Sequence, residues 1–139
     1  MNDILRNKKG YSTALLALLL PVLICVLGFA VDGGLIIYRA NELSSAVKIA
    51  AISATSIYDI DDEGEYRLTA SDNDVQEILN TNMDGAVLNY FSIDTEINGS
   101  CTVEGSYHVD FVFMKLFGIE GKTVTSSFTA RRGRSDLWT

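Results

Sequence analysis

The chain has few of the residues that build a catalytic or disulfide-stabilised domain. Its 139 residues include one histidine, two cysteines, one proline and one tryptophan. Two cysteines form no disulfide framework of the kind that supports small secreted domains. The sequence also lacks His/Cys metal spacing, a glycine-rich phosphate loop and a nucleophile elbow. We therefore predict that the protein is not an enzyme and has no catalytic residues, cofactor or metal.

Charge is missing from one long stretch. Residues 10–31, GYSTALLALLLPVLICVLGFAV, contain no charged side chain. At ~1.5 Å of rise per residue, a helix of this length spans about 33 Å, enough to cross a hydrocarbon core of ~30 Å. Core helices of soluble proteins usually keep a polar face, and residues 14–31 have none. The composition predicts a transmembrane helix over residues 10–31, in which Pro21 causes a gentle kink.

The charge around this run predicts its orientation. Residues 1–9 form a basic leader, in which Arg6, Lys8 and Lys9 outweigh Asp3. Because the whole chain carries −7 and the first 31 residues carry +2, the remaining residues carry −9. The positive-inside rule then places the N-terminus in the cytoplasm and the rest of the chain outside. An acidic domain has no electrostatic reason to bind nucleic acid.

Beyond the run, the helical pattern continues through residues 32–58 as an amphipathic extension. Apolar residues recur there at alternating spacings of four and three, a repeat that keeps one stripe facing a partner. Two interpretations stay open: the stripe covers the protein's own sheet, or it packs against another copy or subunit. The packing stripe consists of Ile36, Ala40, Leu43, Val47, Ala50, Ala54 and Ile57.

Residues 59–139 are predicted to form an extracytoplasmic α/β domain. We interpret residues 59–65 as a solvated acidic loop, because the calcium-loop pattern fails at its twelfth position, Ala70. Ser71 followed by Asp74 resembles a capping box and predicts a second helix, whose apolar face we extend to Tyr90. Apolar residues alternate from Ser92 onward, which predicts β-strands.

The alternation predicts three strands in an antiparallel meander. A three-residue loop at 98–100 would set Ile97 opposite Cys101 and Ile93 opposite Gly105, keeping one face apolar. In the next hairpin, we expect the pairs Phe113 with Val124 and Phe111 with Ser126. The predicted fold class is α+β: a long N-terminal helix, transmembrane and then amphipathic, packs on the meander beside a shorter second helix.

Several further side chains are candidates for contacts. Residues 114–119 are too apolar for an ordinary loop, and we expect them to tuck under the sheet edge rather than touch membrane or a partner. Cys101 is expected in the core, with an intermolecular bridge as the alternative. The ending could contact anionic lipid or an acidic neighbouring subunit, or be a frayed tail. Its candidate contact residues are Arg131, Arg132, Arg134 and Trp138.

The two ends of the chain resemble a known family. Residues 8–54 have basic residues before Gly10, then Leu20-Pro21, Val31-Asp32, Tyr38-Arg39 and an alanine-rich helix. Residues 111–131 read FVFMKLFGIEGKTVTSSFTAR. These features resemble the TadE/TadG-like pilus-assembly family. The resemblance implies a minor pilin-like subunit or assembly factor of a tight-adherence (Flp) pilus, which functions in adhesion or secretion. It also implies a single-pass protein of the bacterial envelope that contacts the lipid bilayer and other pilus subunits.

Processing of the N-terminus separates two hypotheses. Pilin precursors of this type are cut after a glycine, here Gly10, and carry glutamate at the fifth mature position. That position is Leu15, which favours an uncleaved TadG-like anchor. The run also resembles a secretory signal cleaved after Ala30. The alternative function is therefore a signal-anchored or secreted extracellular binding module.

Overall fold

A computed structural model describes residues 2–94 and 99–132. Helix α1 spans Asn2–Ala54 and helix α2 spans Asp72–Asn82. Strands β1 (Tyr58–Ile60) and β2 (Tyr66–Leu68) form a hairpin. Strands β3 (Val87–Asp94), β4 (Ser100–Asp110) and β5 (Gly121–Arg131) form a three-stranded sheet in that order, and a short 3-10 helix, Met114–Phe117, lies between the last two. The predicted α+β class, with its long first helix and antiparallel meander, is confirmed.

The apolar run and its extension belong to one helix. Helix α1 continues through Pro21 and through the glycine pair Gly33-Gly34 without interruption. It ends at Ala54, where the Thr55 hydroxyl donates a 2.7 Å hydrogen bond to the Ile52 carbonyl and a turn follows. The predicted extension over 32–58 is therefore four residues too long, because Tyr58 pairs with β2 as a strand residue.

The chain forms two compact units. The first contains Met1–Leu35 and Asp110–Gly121, and the second contains Ile36–Val109 and Lys122–Thr139. Both α1 and the β4–β5 hairpin contribute residues to each unit. The second unit contains α2 and the two-stranded hairpin, and its core determines which face of the amphipathic extension is buried.

The core of the second unit buries a broad face of α1. Leu79 of α2 and Val47 of α1 are fully buried, and a Cβ atom placed on Gly105 would meet both side chains within 3.2 Å. Four residues of the predicted stripe are buried, whereas Ile36, Ala40 and Ile57 stay partly exposed. A face this wide is typical of a helix packed on its own domain, and a coiled-coil seam is narrower. The buried α1 residues are Leu43, Ala46, Val47, Ala50, Ala51 and Ala54.

Helix α2 begins as predicted and ends earlier than predicted. In the capping box, the Asp74 N–H donates to Ser71 Oγ and the Ser71 N–H donates to Asp74 Oδ2. Donation to Asp74 Oδ2 from the Ser71 hydroxyl, together with that from the Ser71 N–H, lowers the pKa of Asp74. The prediction that the apolar face of α2 reaches Tyr90 is wrong, because the helix ends at Asn82. Gly85 then adopts a φ of 80°, a left-handed conformation that glycine accommodates and that turns the chain into β3.

The predicted register of the first hairpin is also wrong. Ile93 lies opposite Cys101, not Gly105, and residues 95–99 connect the two strands. Ile97, the partner expected for Cys101, lies outside the described residues. The register shift is an even number of residues, so Cys101 and Val103 keep the buried face that alternation predicted. Burial raises the pKa of the Cys101 thiol to about 11, which suits a core residue.

The second hairpin closes at a different point from the one expected. The Phe111 N–H donates a 2.9 Å hydrogen bond to the Glu120 carbonyl, so Phe111 does not pair with Ser126. Phe113 lies after the end of β4 and does not pair with Val124. Alternation alone could not locate this end, because the apolar residues continue past the last strand residue.

We expect the substitution Leu79→Ala to lower the free energy of unfolding by about 2–5 kcal/mol, because it leaves a cavity in the core beside the fully buried Val47. Thermal unfolding of the full chain in detergent micelles measures this change. The matched control is Ile52→Ala on α1, where the side chain is 52% exposed and the change should stay near 0.5 kcal/mol or less. Equal shifts in the two variants would contradict the described core.

Candidate functional site

The candidate site is a carboxylate clamp at the end of the apolar run. Asp32 is fully buried and accepts hydrogen bonds from three consecutive backbone N–H groups. Its Oδ1 atom lies 2.9 Å from the Val112 nitrogen, and its Oδ2 atom lies 3.0 Å from Phe113 N and 2.6 Å from Met114 N. These donors lie near the start of residues 111–120, which we call the docked connection.

The clamp supplies acceptors that a short helix lacks. The first N–H groups of any helix have no partner within it, so they need a cap. No side chain from the neighbouring sequence caps the 3-10 helix Met114–Phe117, and Asp32 accepts the hydrogen bonds of the N–H groups at its start. At the other end, Gly118 adopts a φ of 82°, and its N–H donates to the Lys115 carbonyl.

The hydrogen bonds also explain how a carboxylate can be buried here. Burial by itself would raise the pKa of Asp32, which lies one residue beyond the apolar run. The three backbone N–H donors outweigh that effect and hold the pKa below its ordinary value. Hydrogen bonds to an ionised acceptor are stronger than those between neutral groups. Asp32 is therefore a buried anion whose partners are backbone dipoles.

Two contacts on the same side of α1 reinforce the clamp. A Cβ atom on Gly28 would lie 2.8 Å from the Phe113 side chain, so only glycine allows this close approach. The rings of Phe29 and Phe117 stack with their centroids 5.9 Å apart and an interplanar angle of 21°. Because Gly28 and Asp32 are four residues apart, they share one helix face. The docked connection is held at the last turn of the apolar run.

The docked connection exposes apolar side chains instead of hiding them. Leu116 is 81% exposed, and Val112, Phe117 and Ile119 are exposed as well. The prediction that residues 114–119 tuck under the sheet edge is therefore wrong. The reason is the clamp, which holds this segment on α1 through a residue about 80 positions earlier in the chain. The signal available in the sequence was a single acidic residue directly after an apolar run.

The predicted contact residues of the C-terminal segment lie in different surroundings. Arg131 is exposed, whereas the guanidinium carbon of Arg132 lies 4.3 Å from the ring centroids of both Tyr58 and Tyr66. This cation–π arrangement engages Arg132 within its own chain. Arg134 and Trp138 lie outside the described residues. Gly10, the candidate processing residue, is exposed on α1.

The acidic loop forms the turn of the β1–β2 hairpin, which the sequence pattern did not predict. Asp61 Oδ1 accepts hydrogen bonds from the backbone N–H groups of Glu63 and Glu65, and Asp61 Oδ2 accepts one from Arg67. The backbone bond from Glu65 is the largest of the causes that lower the pKa of Asp61. Among the residues that the structure describes, no group of three His, Cys, Asp or Glu side chains could hold a metal ion.

Comparisons with known proteins found no matching family model, no similar curated protein and no similar solved structure. The resemblance to the TadE/TadG-like family therefore stays a prediction from the residues quoted for it. What the structure adds is the clamp and an α1 helix that is long and apolar enough to cross a membrane.

We expect Asp32→Ala to release the docked connection, because it leaves the backbone N–H groups of Val112, Phe113 and Met114 without their acceptor. Hydrogen–deuterium exchange of the full chain in detergent should show faster exchange at Val112, Phe113 and Met114. The matched control is Asp62→Asn in the exposed hairpin turn, which should leave these amides protected. Unchanged exchange in Asp32→Ala would contradict the clamp.

Proposed function

We propose that this protein is a membrane-anchored, non-catalytic structural subunit or assembly factor of a tight-adherence (Flp-type) pilus or a related secretion machine. The single observation that carries the proposal is the change in environment along α1. Within one uninterrupted helix, an exposed apolar run is followed by a face buried in the α+β domain.

The exposed run supports the anchoring part of the proposal. Every residue from Gly10 to Leu27 is exposed, including a long series of leucines and valines. Soluble monomers rarely expose apolar patches larger than a few hundred Å². A lipid bilayer is the environment in which such a surface is stable. By the positive-inside rule, the basic leader stays in the cytoplasm and the domain lies outside a bacterial cytoplasmic membrane.

An exposed apolar face of α1 supports contact with other subunits. Tyr38, Ile49 and Ile52 are 61%, 45% and 52% exposed, and their spacing places them on one side of the helix. The buried part of the packing stripe is already covered by the protein's own domain. We therefore assign subunit contacts to this exposed face rather than to the stripe. The sequence resemblance supports a pilus as the assembly concerned.

The anchor can be tested with membranes of the native host. We expect the chain to stay in the membrane pellet after alkaline carbonate extraction and to retain Met1 by intact mass. The double variant Leu19→Arg/Leu23→Arg should be released to the supernatant, since each arginine near a bilayer centre costs about 2.5–3.5 kcal/mol. Asn41→Arg, on an exposed position beyond the run, is the matched control and should stay in the pellet.

The intact mass also distinguishes an uncleaved N-terminus from the two possible cleaved forms. A mature start at Tyr11 would indicate a processed pilin and leave the structural role intact. A start at Val31, with the protein in the soluble fraction, would contradict the anchor and favour the secreted binding module.

The assembly role predicts a phenotype. Deleting the gene from its host should remove or sharply reduce surface pili counted by electron microscopy, and the wild-type gene should restore them. Ile52→Glu should fail to restore piliation, because it places a charge on the exposed apolar face of α1. Tyr90→Glu is the matched control, since Tyr90 is 55% exposed on β3. Normal piliation in the deletion strain would overturn the proposal.

A further inference from the structure

The docked connection exposes four large apolar side chains within a short segment. Val112, Leu116, Phe117 and Ile119, which we call the apolar tip, are 61%, 81%, 60% and 47% exposed within eight residues. Single exposed apolar side chains are common on protein surfaces, but a contiguous group of large ones marks an interaction site. The tip therefore needs an environment other than water.

The clamp fixes the position of the apolar tip along the axis of α1. Phe117 stacks on Phe29, and Phe113 packs against Gly28, so the connection lies beside the last turn of the apolar run. Gly28 is three residues before the end of the run, which at ~1.5 Å of rise per residue is about 5 Å inside it. The preceding turn of the same unit also exposes apolar side chains, since Leu23 is 52% and Leu27 is 65% exposed. The tip therefore continues the apolar surface of the run.

The backbone of the connection suits a medium of low polarity. Non-helical backbone is excluded from lipid when its polar groups lack partners. Here the backbone N–H groups of seven residues have acceptors, three on Asp32 and the others on carbonyls of the connection. The seven donor residues are Phe111, Val112, Phe113, Met114, Leu116, Gly118 and Ile119.

One basic residue lies among the apolar side chains of the tip. Lys115 is exposed within the 3-10 helix. The aliphatic part of a lysine side chain can pack along an apolar surface while its ammonium group stays among polar headgroups. This combination of large apolar side chains and one lysine is what an element at a membrane interface requires.

We propose that the apolar tip inserts into the membrane interface on the side where the domain emerges, as a second lipid contact beside the transmembrane run. The inference rests on the anchoring part of the proposed function. The occupant is the bilayer itself, because the tip continues the exposed apolar surface of the run within one compact unit. The clamp presents the tip to lipid with seven backbone N–H groups of the docked connection already hydrogen bonded.

Depth-dependent fluorescence quenching tests this insertion. The full chain carries Trp138→Phe to remove its one tryptophan, and Leu116→Trp then reports from the tip. The chain is reconstituted into phosphatidylcholine vesicles with bromine atoms at a shallow or a deep position of the acyl chains. We expect a blue-shifted emission that loses most of its intensity to shallow bromines and less to deep ones, because an interfacial element lies about 5–10 Å into the headgroup boundary.

Two control variants separate this inference from the anchor. Leu23→Trp, in the same background, should be quenched by deep bromines. If deep bromines do not quench Leu23→Trp, the proposed membrane anchor is wrong. If bromolipids quench Leu23→Trp but not Leu116→Trp, only the proposed insertion of the apolar tip is overturned. Tyr90→Trp on β3 should resist both bromolipids and be quenched by acrylamide in water.

Two further results for Leu116→Trp would overturn the proposal. Emission quenched by acrylamide as strongly as that of Tyr90→Trp would place the tip in water. A blue-shifted emission that resists both acrylamide and bromolipids would show that protein, such as a second copy, covers the tip.

Discussion

The buried carboxylate of Asp32 is the constraint on which the first unit depends. Removing an ionised group from water is costly unless strong donors replace its hydration. Three consecutive backbone N–H groups replace it here, and they all come from one segment, residues 112–114. Because these donors are backbone groups, the interaction dictates the path of the chain more than the identity of its side chains. The docked connection follows that path, and its apolar side chains remain exposed.

Helix α1 meets two different environments, and this accounts for its composition. Its run over residues 10–31 needs no polar face because the proposed surroundings are lipid. Its part in the second unit needs one broad apolar face and leaves the opposite side to solvent or other subunits. Ala46, Ala50 and Ala51 are buried at the core face, where small side chains allow close approach. Under the proposed function, the same helix connects an anchor to a domain that contacts neighbours.

The register of the first hairpin and the existence of the β1–β2 hairpin were not predictable from the sequence, for two different reasons. Alternation reports which face a strand residue occupies, but an even register shift leaves that face unchanged. The face of Cys101 was therefore predictable and its partner, Ile93, was not. The β1–β2 hairpin was missed because its strands are three residues long, although Tyr58 and Tyr66 flank a glycine-containing turn. Short strands depend on contacts such as the cation–π stacking of Arg132, which is distant in the chain.

The sequence by itself determined the features that arise from neighbouring residues. These are the uncharged run, the capping box of Ser71 and Asp74, the α+β class and the buried face of β4. Only the tertiary structure decided that Asp32 clamps a segment about 80 residues later and that the docked connection exposes its apolar side chains. Local chemistry specifies helices and strand faces because its partners lie within a few residues. A hydrogen bond between distant segments exists only once the fold has brought donor and acceptor together.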